Sequence, residues 1–233
     1  MTRPDSHETV GEVSAKSSLD AQREQWERAL AERADRFGAE ASEAAHAALM
    51  VFHRGGVRDL LELGAGQGRD TLFFAEQGFQ VAALDYADSG LAAIRVKAAA
   101  AQFGDRVEVV GHDVRQPLPF ADGSFDACFS HMLYCMALTE RELHALTAEI
   151  GRVLRPGAFN VYTARTTCDP DYGQGQHRGE QRYELDGFVV HFFDRALVER
   201  LANEFEIVAI DEFEEGRLPR RLYRVTLRKP ALR

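Results

Sequence analysis

Cysteine is scarce in this chain. Three residues of 233, Cys128, Cys135 and Cys168, are an odd number without metal-ligand spacing. They support neither a disulfide framework nor a zinc site, and they read as reduced thiols of a cytoplasmic protein. Long apolar runs are missing too. No stretch of 18 apolar residues exists, so a membrane span is not expected. The first residues, MTRPDSHETVGEVSAKSS, lack the apolar segment of a secretory signal. Basic charge is the minority: 28 Lys and Arg stand against 37 Asp and Glu, a formal net charge of −9. Such a chain repels a phosphate backbone, so nucleic acid is not the expected partner. No internal repeat is present, and no pattern specifies an oligomeric state.

What is there is an ordinary globular composition and a change of rhythm near residue 56. Residues 1–18 are polar and unpatterned, and are expected to be disordered. Residues 19–55 read as two helices. Asp20 opens the first, in which Trp26, Leu30, Ala34 and Phe37 recur at helical spacing. An alanine-rich run from Ala39 follows and breaks at Gly55-Gly56. From Val57 onward, short apolar runs alternate with helical stretches. VRDLLEL, FQVAALD, RVEVVGHD, FDACFSH and AFNVYTA read as five strands. Thr139 and Glu142 form a capping box for the helix before the fifth. Asp194 caps a last helix, and FEIVAIDEF and RRLYRVTLRK close the chain as two strands. The pattern is α/β, a mostly parallel seven-stranded sheet with helices on both faces and an antiparallel strand at its end. Ligands bind such sheets beyond the carboxyl ends of the strands.

The densest signal lies after the first strand: Glu62-Leu63-Gly64-Ala65-Gly66-Gln67-Gly68. The dinucleotide fingerprint would need a third glycine at position 69, which is Arg69, and the phosphate loop with its Lys-Ser/Thr is absent. Asp85 ends the second strand and Asp113 the third, in Gly111-His112-Asp113-Val114. A carboxylate can accept hydrogen bonds from a diol or from an amine. The residues also have simpler readings. The glycines could form a tight turn, Asp85 could cap the next helix (where Asp88 and Ser89 are better placed), and Asp113 could be a turn aspartate.

Taken together, the G-x-G-x-G loop and the two strand-end acids resemble motif I and its companions in the class I S-adenosylmethionine (SAM)-dependent methyltransferases. The resemblance runs from about Val57 to Ala164 and includes LRPGAFNVYTA. It implies a Rossmann-like fold over residues 56–233, SAM as cofactor and S-adenosylhomocysteine as product. It also implies an N-terminal helical lid over residues 19–55. Carried over, it sets Asp85 on the ribose hydroxyls, Asp113 at the adenine amino group and Glu62 near the methionine amino group. Tyr86 then packs on the adenine. Gly64, Ala65, Gly66, Gly68, Asp70, His112, Val114 and Ser130 complete the implied cofactor site. Gly68-Arg69-Asp70 and the C-terminal GFVVHFFDRALVERL and GRLPRRLYRVTLRK are most similar to the tellurite-resistance and thiopurine-type branch.

The residues after the fourth strand narrow the acceptor. Phe129-Ser130-His131-Met132 is neither the Asn/Asp-Pro-Pro-aromatic tetrad of the base-amino enzymes nor a Pro-Cys nucleophile, and no acid cluster for a metal follows. A metal-independent enzyme acting on a small molecule at O, N, S or a chalcogen is the expectation. Alternatives are a SAM-binding regulatory protein without turnover, or an aminopropyltransferase-like enzyme on the same fold. His131 is the candidate base, or a histidine that orders its loop; Tyr134 has a similar position. Trp26, and Tyr172 and His177 in the glycine-containing loop Arg165–Arg182, are candidates for the acceptor site. His191, in VVHFF, reads as a core histidine. Arg217, Arg220 and Arg221 would receive an anionic or soft acceptor, or line a solvated strand edge.

Overall fold

The computed structural model describes residues 18–216 and 220–231. The expected disorder of the N-terminus therefore falls, but for Ser18, outside the described residues, as does Arg217. In chain order the elements are α1 (Ser18–Glu32), α2 (Glu43–Gly55), β1 (Asp59–Leu63), α3 (Arg69–Glu76), β2 (Gln80–Asp85), α4 (Asp88–Ala100), β3 (Val107–Gly111) and β4 (Phe125–Ser130). They continue with α5 (Glu140–Val153), β5 (Leu154–Arg165), β6 (Gln176–His177), β7 (Arg182–Leu185), β8 (Phe188–His191), α6 (Arg195–Ala202), β9 (Glu206–Glu215) and β10 (Arg220–Arg228).

Seven strands form one sheet in the order β3-β2-β1-β4-β5-β10-β9. β1 to β5 are mutually parallel, and β10 runs antiparallel to both β5 and β9. This is the mostly parallel seven-stranded sheet expected from the strand rhythm. β1 shows why it forms. Leu60, Leu61 and Leu63 are all fully buried, because a central parallel strand is covered on both faces and needs apolar residues without alternation. α5 instead buries one stripe, Leu143, Leu146, Ile150 and Val153, behind its Thr139–Glu142 capping box. One core joins β4, β5, α5, α6 and β10 on one face; a second joins α2, α3 and β1 on the other.

Two details depart from the sequence reading. The first helix ends at Glu32 rather than near Phe37, since Asp35 (φ 50°) and Gly38 (φ 87°) leave the helical region. The segment after Arg165 is not all loop: it contributes β6 and the start of β7 to a second, three-stranded sheet completed by β8. Its hairpin turns on Asp186-Gly187, both left-handed (φ 50° and 81°), between the paired Leu185 and Phe188. Asp-Gly between two apolar runs is the usual two-residue hairpin turn, so this strand pair was readable from its turn.

Candidate functional site

The carboxyl ends of β1, β2, β3 and β4 open into a cavity of about 700 Å³. Its floor is the loop after β1. Gly64, Gly66 and Gly68 all have positive φ (73°, 54° and 82°). At Gly66 an added Cβ would meet nothing within 4 Å, so the backbone there faces open space. Gly90, in the first turn of α4, lets that helix close on the loop: a Cβ there would lie 2.4 Å from the Gly66 carbonyl oxygen.

Asp85 ties the same loop. Its Oδ2 accepts from Gly66 N (2.8 Å), and its Oδ1 accepts from Tyr86 N (2.8 Å) and Ala87 N (2.9 Å). Burial raises its pKa against the pull of those three donors. A carboxylate has about four acceptor sites, so one stays open to a ligand hydroxyl rather than the two a diol would fill. Asp88 and Ser89 do not cap α4. Ser89 N is instead met by Glu27 of α1, 2.9 Å from Oε1. The side chain completing this helix end thus comes from another helix.

Glu62 lies deeper, with its residue 4% exposed, and accepts from Thr71 Oγ1 at 2.5 Å. Burial, reinforced by the charge of Asp70, pushes its pKa up to about 8, although Thr71 and Arg69 oppose the shift. Asp70 accepts from Ser42 N (2.8 Å) and Ser42 Oγ (2.9 Å), the residue that caps α2. Ala65, Tyr86, His112, Asp113 and Val114 also line the cavity. His112 Nε2 is buried with no hydrogen-bond partner among the described residues, and Arg115 Nη2 holds Asp113 Oδ2 at 2.5 Å. Gly68 and Ser130 lie outside the cavity wall. Gly68 is packed against Ile94, 2.8 Å from where its Cβ would be, and Ser130 is fully buried. The glycine cradle, the buried carboxyls and the unpaired His112 nitrogen fit a ligand with a cationic end, hydroxyls and a polar ring edge.

The other half of the cavity is more apolar. Trp26 packs on Phe188 of β8 at 4.8 Å, and Gln25 Nε2 reaches the Asp186 carbonyl at 3.4 Å, so α1 and the small sheet meet over the opening. Met132, Met136 and Val190 add apolar wall. His131 lines this half with Glu215 from the end of β9, Nε2 to Oε2 at 3.1 Å. Its Nδ1 lies 3.1 Å from Thr163 Oγ1 on β5. Burial alone would raise the Glu215 pKa, but the hydrogen bond and charge of His131 outweigh it and hold the carboxyl below its usual range. Arg220 lines the cavity as expected and has no ion pair among the described residues.

Four candidates for the acceptor half do not reach the cavity. Tyr134 is fully buried and stacked on Tyr162 (3.9 Å, 8°), with Asn160 Nδ2 donating to its hydroxyl; the turn after Met132 (φ 64°) points it into the core. Tyr172 packs edge-on against Tyr183 and Phe192 instead. His177 is exposed, its Nε2 on the Glu180 carbonyl. Arg221 pairs with Glu214, because successive residues of β10 alternate in direction. His191 is the expected core histidine, its Nδ1 on the Leu138 carbonyl at 2.8 Å. Among the described residues no three His, Cys, Asp or Glu side chains converge as a metal site.

Glu215, Thr163 and Gln67 went unrecognised in the sequence. Gln67 sits inside the glycine loop, yet its Nε2 donates to the Leu30 and Arg33 carbonyls (both 2.8 Å) and its Oε1 accepts from Arg36 N (2.9 Å). It latches the end of α1 to the cavity floor. No local pattern marks Glu215, which stands in an acidic strand.

Residues 60–157 match the family model described as a methyltransferase domain. Over 130 residues, 55% of the chain, the sequence is 31% identical to malonyl-[acyl-carrier protein] O-methyltransferase of Serratia marcescens. That stretch spans 44% of the relative, less than half its length. Among solved structures, the Burkholderia thailandensis 1,6-didemethyltoxoflavin-N1-methyltransferase, with 1,6-didemethyltoxoflavin and S-adenosylhomocysteine bound, superposes with a TM-score of 0.72. It is 19% identical, over 91% of this chain and 88% of that one. The CcbJ methyltransferase of Streptomyces caelestis gives 0.69 and 19% identity, over 88% and 98%. At these identities the likeness is one of fold.

Proposed function

We propose that this chain, whose residues 60–157 match the methyltransferase-domain model and whose seven-stranded sheet is that of the class I fold, transfers a methyl group from SAM to a small-molecule acceptor. One observation carries the reading. A single cavity joins the glycine loop and the strand-end acids to the apolar chamber of Trp26, Phe188 and His131. A regulatory binder without turnover needs only the first half. An aminopropyl acceptor, being a polyamine, would call for a denser set of acids around His131 than Glu215 supplies.

When bound, SAM supplies a methyl group already activated by its sulfonium charge. The protein's work is then positioning and exclusion of water. Glu62, once ionised, faces the cationic end; the open acceptor site of Asp85 takes a ribose hydroxyl; His112 and Asp113 meet the base edge. Trp26, Phe188 and the Met132–Met136 turn hold the acceptor beside His131 and Glu215. Residues 19–55 act as a lid, tied down by Gln67 and Glu27 and meeting the small sheet at Trp26. The net charge of −9 and the missing base-methylation motif argue against a nucleic-acid acceptor. The free cysteines Cys128, Cys135 and Cys168 suit a reducing cytoplasm. No helix among the described residues is long and apolar enough to cross a membrane.

Calorimetry should register S-adenosylhomocysteine and not NAD. Labelled SAM with a panel of small acceptors should yield S-adenosylhomocysteine at a rate that survives a chelator. Deletion through Phe37 should abolish turnover; full activity without those residues would leave the acceptor chamber without its roof.

A further inference from the structure

We propose that Glu215 takes the acceptor's proton, that His131 and Thr163 position it, and that the acceptor is accordingly a neutral molecule with an O–H or N–H nucleophile. This deepens the methyl-transfer reading and rests on it. The argument starts from Thr163. Its residue is fully buried, and Oγ1 has two partners among the described residues. Met132 N donates to it at 2.9 Å, and His131 Nδ1 lies at 3.1 Å. A backbone N–H can only donate, so the hydroxyl's own hydrogen is left with one acceptor, the Nδ1 lone pair. His131 must then carry its proton on Nε2, which points at Glu215 Oε2, 3.1 Å away. Both ring nitrogens are thus occupied. A proton on Nδ1 instead would strand a buried hydroxyl hydrogen, which opposes the other tautomer.

The lone pairs still open to the chamber belong to Glu215. Oε2 is held by His131, and Oε1 has no hydrogen-bond partner among the described residues while the residue lines the cavity. Among the described residues, the charged groups that face it are Arg69 and Asp70 from α3, with Arg220 opposite on β10, and the titratable neighbour is His131 from the end of β4. The hydrogen bond from His131 and the positive charge of Arg69 favour the ionised form of Glu215. A weak base suffices here, because an O–H or N–H group becomes strongly acidic as it gains a methyl. The nucleophile's lone pair forms the bond to the methyl carbon, and the C–S electron pair stays on sulfur. The proton passes to Glu215, so the lost carboxylate charge balances the lost sulfonium charge. A thiolate or chalcogen oxyanion, the class suggested by the sequence resemblance, has no proton to give, so its transfer would make no use of Glu215, and Arg220 rather than Glu215 would be its counter-charge in this cavity.

The test uses the full chain labelled with ¹⁵N-histidine, the His131 signals being assigned with His131→Gln. Long-range ¹H–¹⁵N spectra should show the proton of His131 on Nε2 and its Nδ1 as the acceptor. Thr163→Val should remove the constraint on the tautomer, and Thr163→Ser should restore the wild-type signature. In turnover with phenols and anilines as probe acceptors, Glu215→Gln should lose about 10²–10⁴-fold, and His131→Gln less. The proposal falls if the neutral ring of His131 is Nδ1-protonated in the wild type. It also falls if Glu215→Gln keeps the wild-type rate, or if thiophenols are methylated and phenols and anilines are not. Binding of S-adenosylhomocysteine by the wild type is a separate readout. If it persists while His131 is the Nδ1-protonated tautomer, this inference alone fails; if it is absent, the methyl-transfer reading fails.

Discussion

Raising the pH through neutrality should tighten S-adenosylhomocysteine binding, and Glu62 is the reason. Burial and the neighbouring Asp70 raise its pKa to about 8, so the free protein holds this carboxyl mostly protonated at neutrality. A ligand ammonium in contact with it favours the ionised form, so binding must expel the proton. With a pKa of about 8, roughly 0.9 proton should leave at pH ~7. The ionised fraction rises from about 0.01 at pH ~6 to about 0.5 at pH ~8, so affinity should improve by roughly 50-fold, or about 2.3 kcal/mol. Calorimetry in buffers of differing ionisation enthalpy counts the protons. Glu62→Gln subtracts the ligand's own titration and should bind with little dependence on pH. The same carboxyl acts on stability with a fixed sign. Its folded pKa lies above the unfolded value near 4.5, so its contribution is complete below that pH and is lost as pH rises through about 8. Melting temperature should therefore fall more steeply with pH in the wild type than in Glu62→Gln. Equal proton release by the two proteins, with parallel affinity profiles, would refute the placement of Glu62 at the cationic end.

Tyr134→Phe should turn over at the wild-type rate and lose about 1 kcal/mol of stability, the worth of one buried hydrogen bond; a large fall in rate would return that hydroxyl to the site. Gly66→Val should abolish S-adenosylhomocysteine binding while the circular dichroism of the sheet persists, since its side chain would enter the cavity and its φ of 54° adds about 1–2 kcal/mol of strain. Calorimetry matching the wild type would move the cofactor elsewhere. Gln67→Ala should speed amide exchange across residues 18–37 and leave β1 and β4 protected, because its side chain makes three hydrogen bonds to that segment; unchanged exchange there would mean that Gln67 is no latch.

Local chemistry determined the frame of this protein from sequence alone. An apolar run such as DLLEL has one use in a sheet of this kind, a strand covered on both faces, and three glycines in five residues demand a left-handed loop. Strand rhythm, helix caps at Thr139 and Asp194, and acids after strands are all short-range signals. They sufficed for the sheet, the glycine loop and the positions of Glu62, Asp85 and Asp113 around one cavity. The helix ends were less legible where the cap is remote, as at Ser89, whose N–H is met by Glu27 62 residues away.

Tertiary structure alone decided the acceptor half. Tyr134 and His131 lie three residues apart after the same strand, yet one stacks on Tyr162 in the core and the other faces the chamber, because Met132 takes a left-handed turn between them. Glu215 reaches His131 only because β10 folds back between β5 and β9 and brings the end of β9 over the site, 84 residues along the chain. Which of two adjacent arginines faces the cavity was likewise settled by the pleat of β10, which turns Arg220 toward it and leaves Arg221 to Glu214. Contacts of this length depend on strand order and on the direction of each side chain, which spacing along a single sequence does not encode.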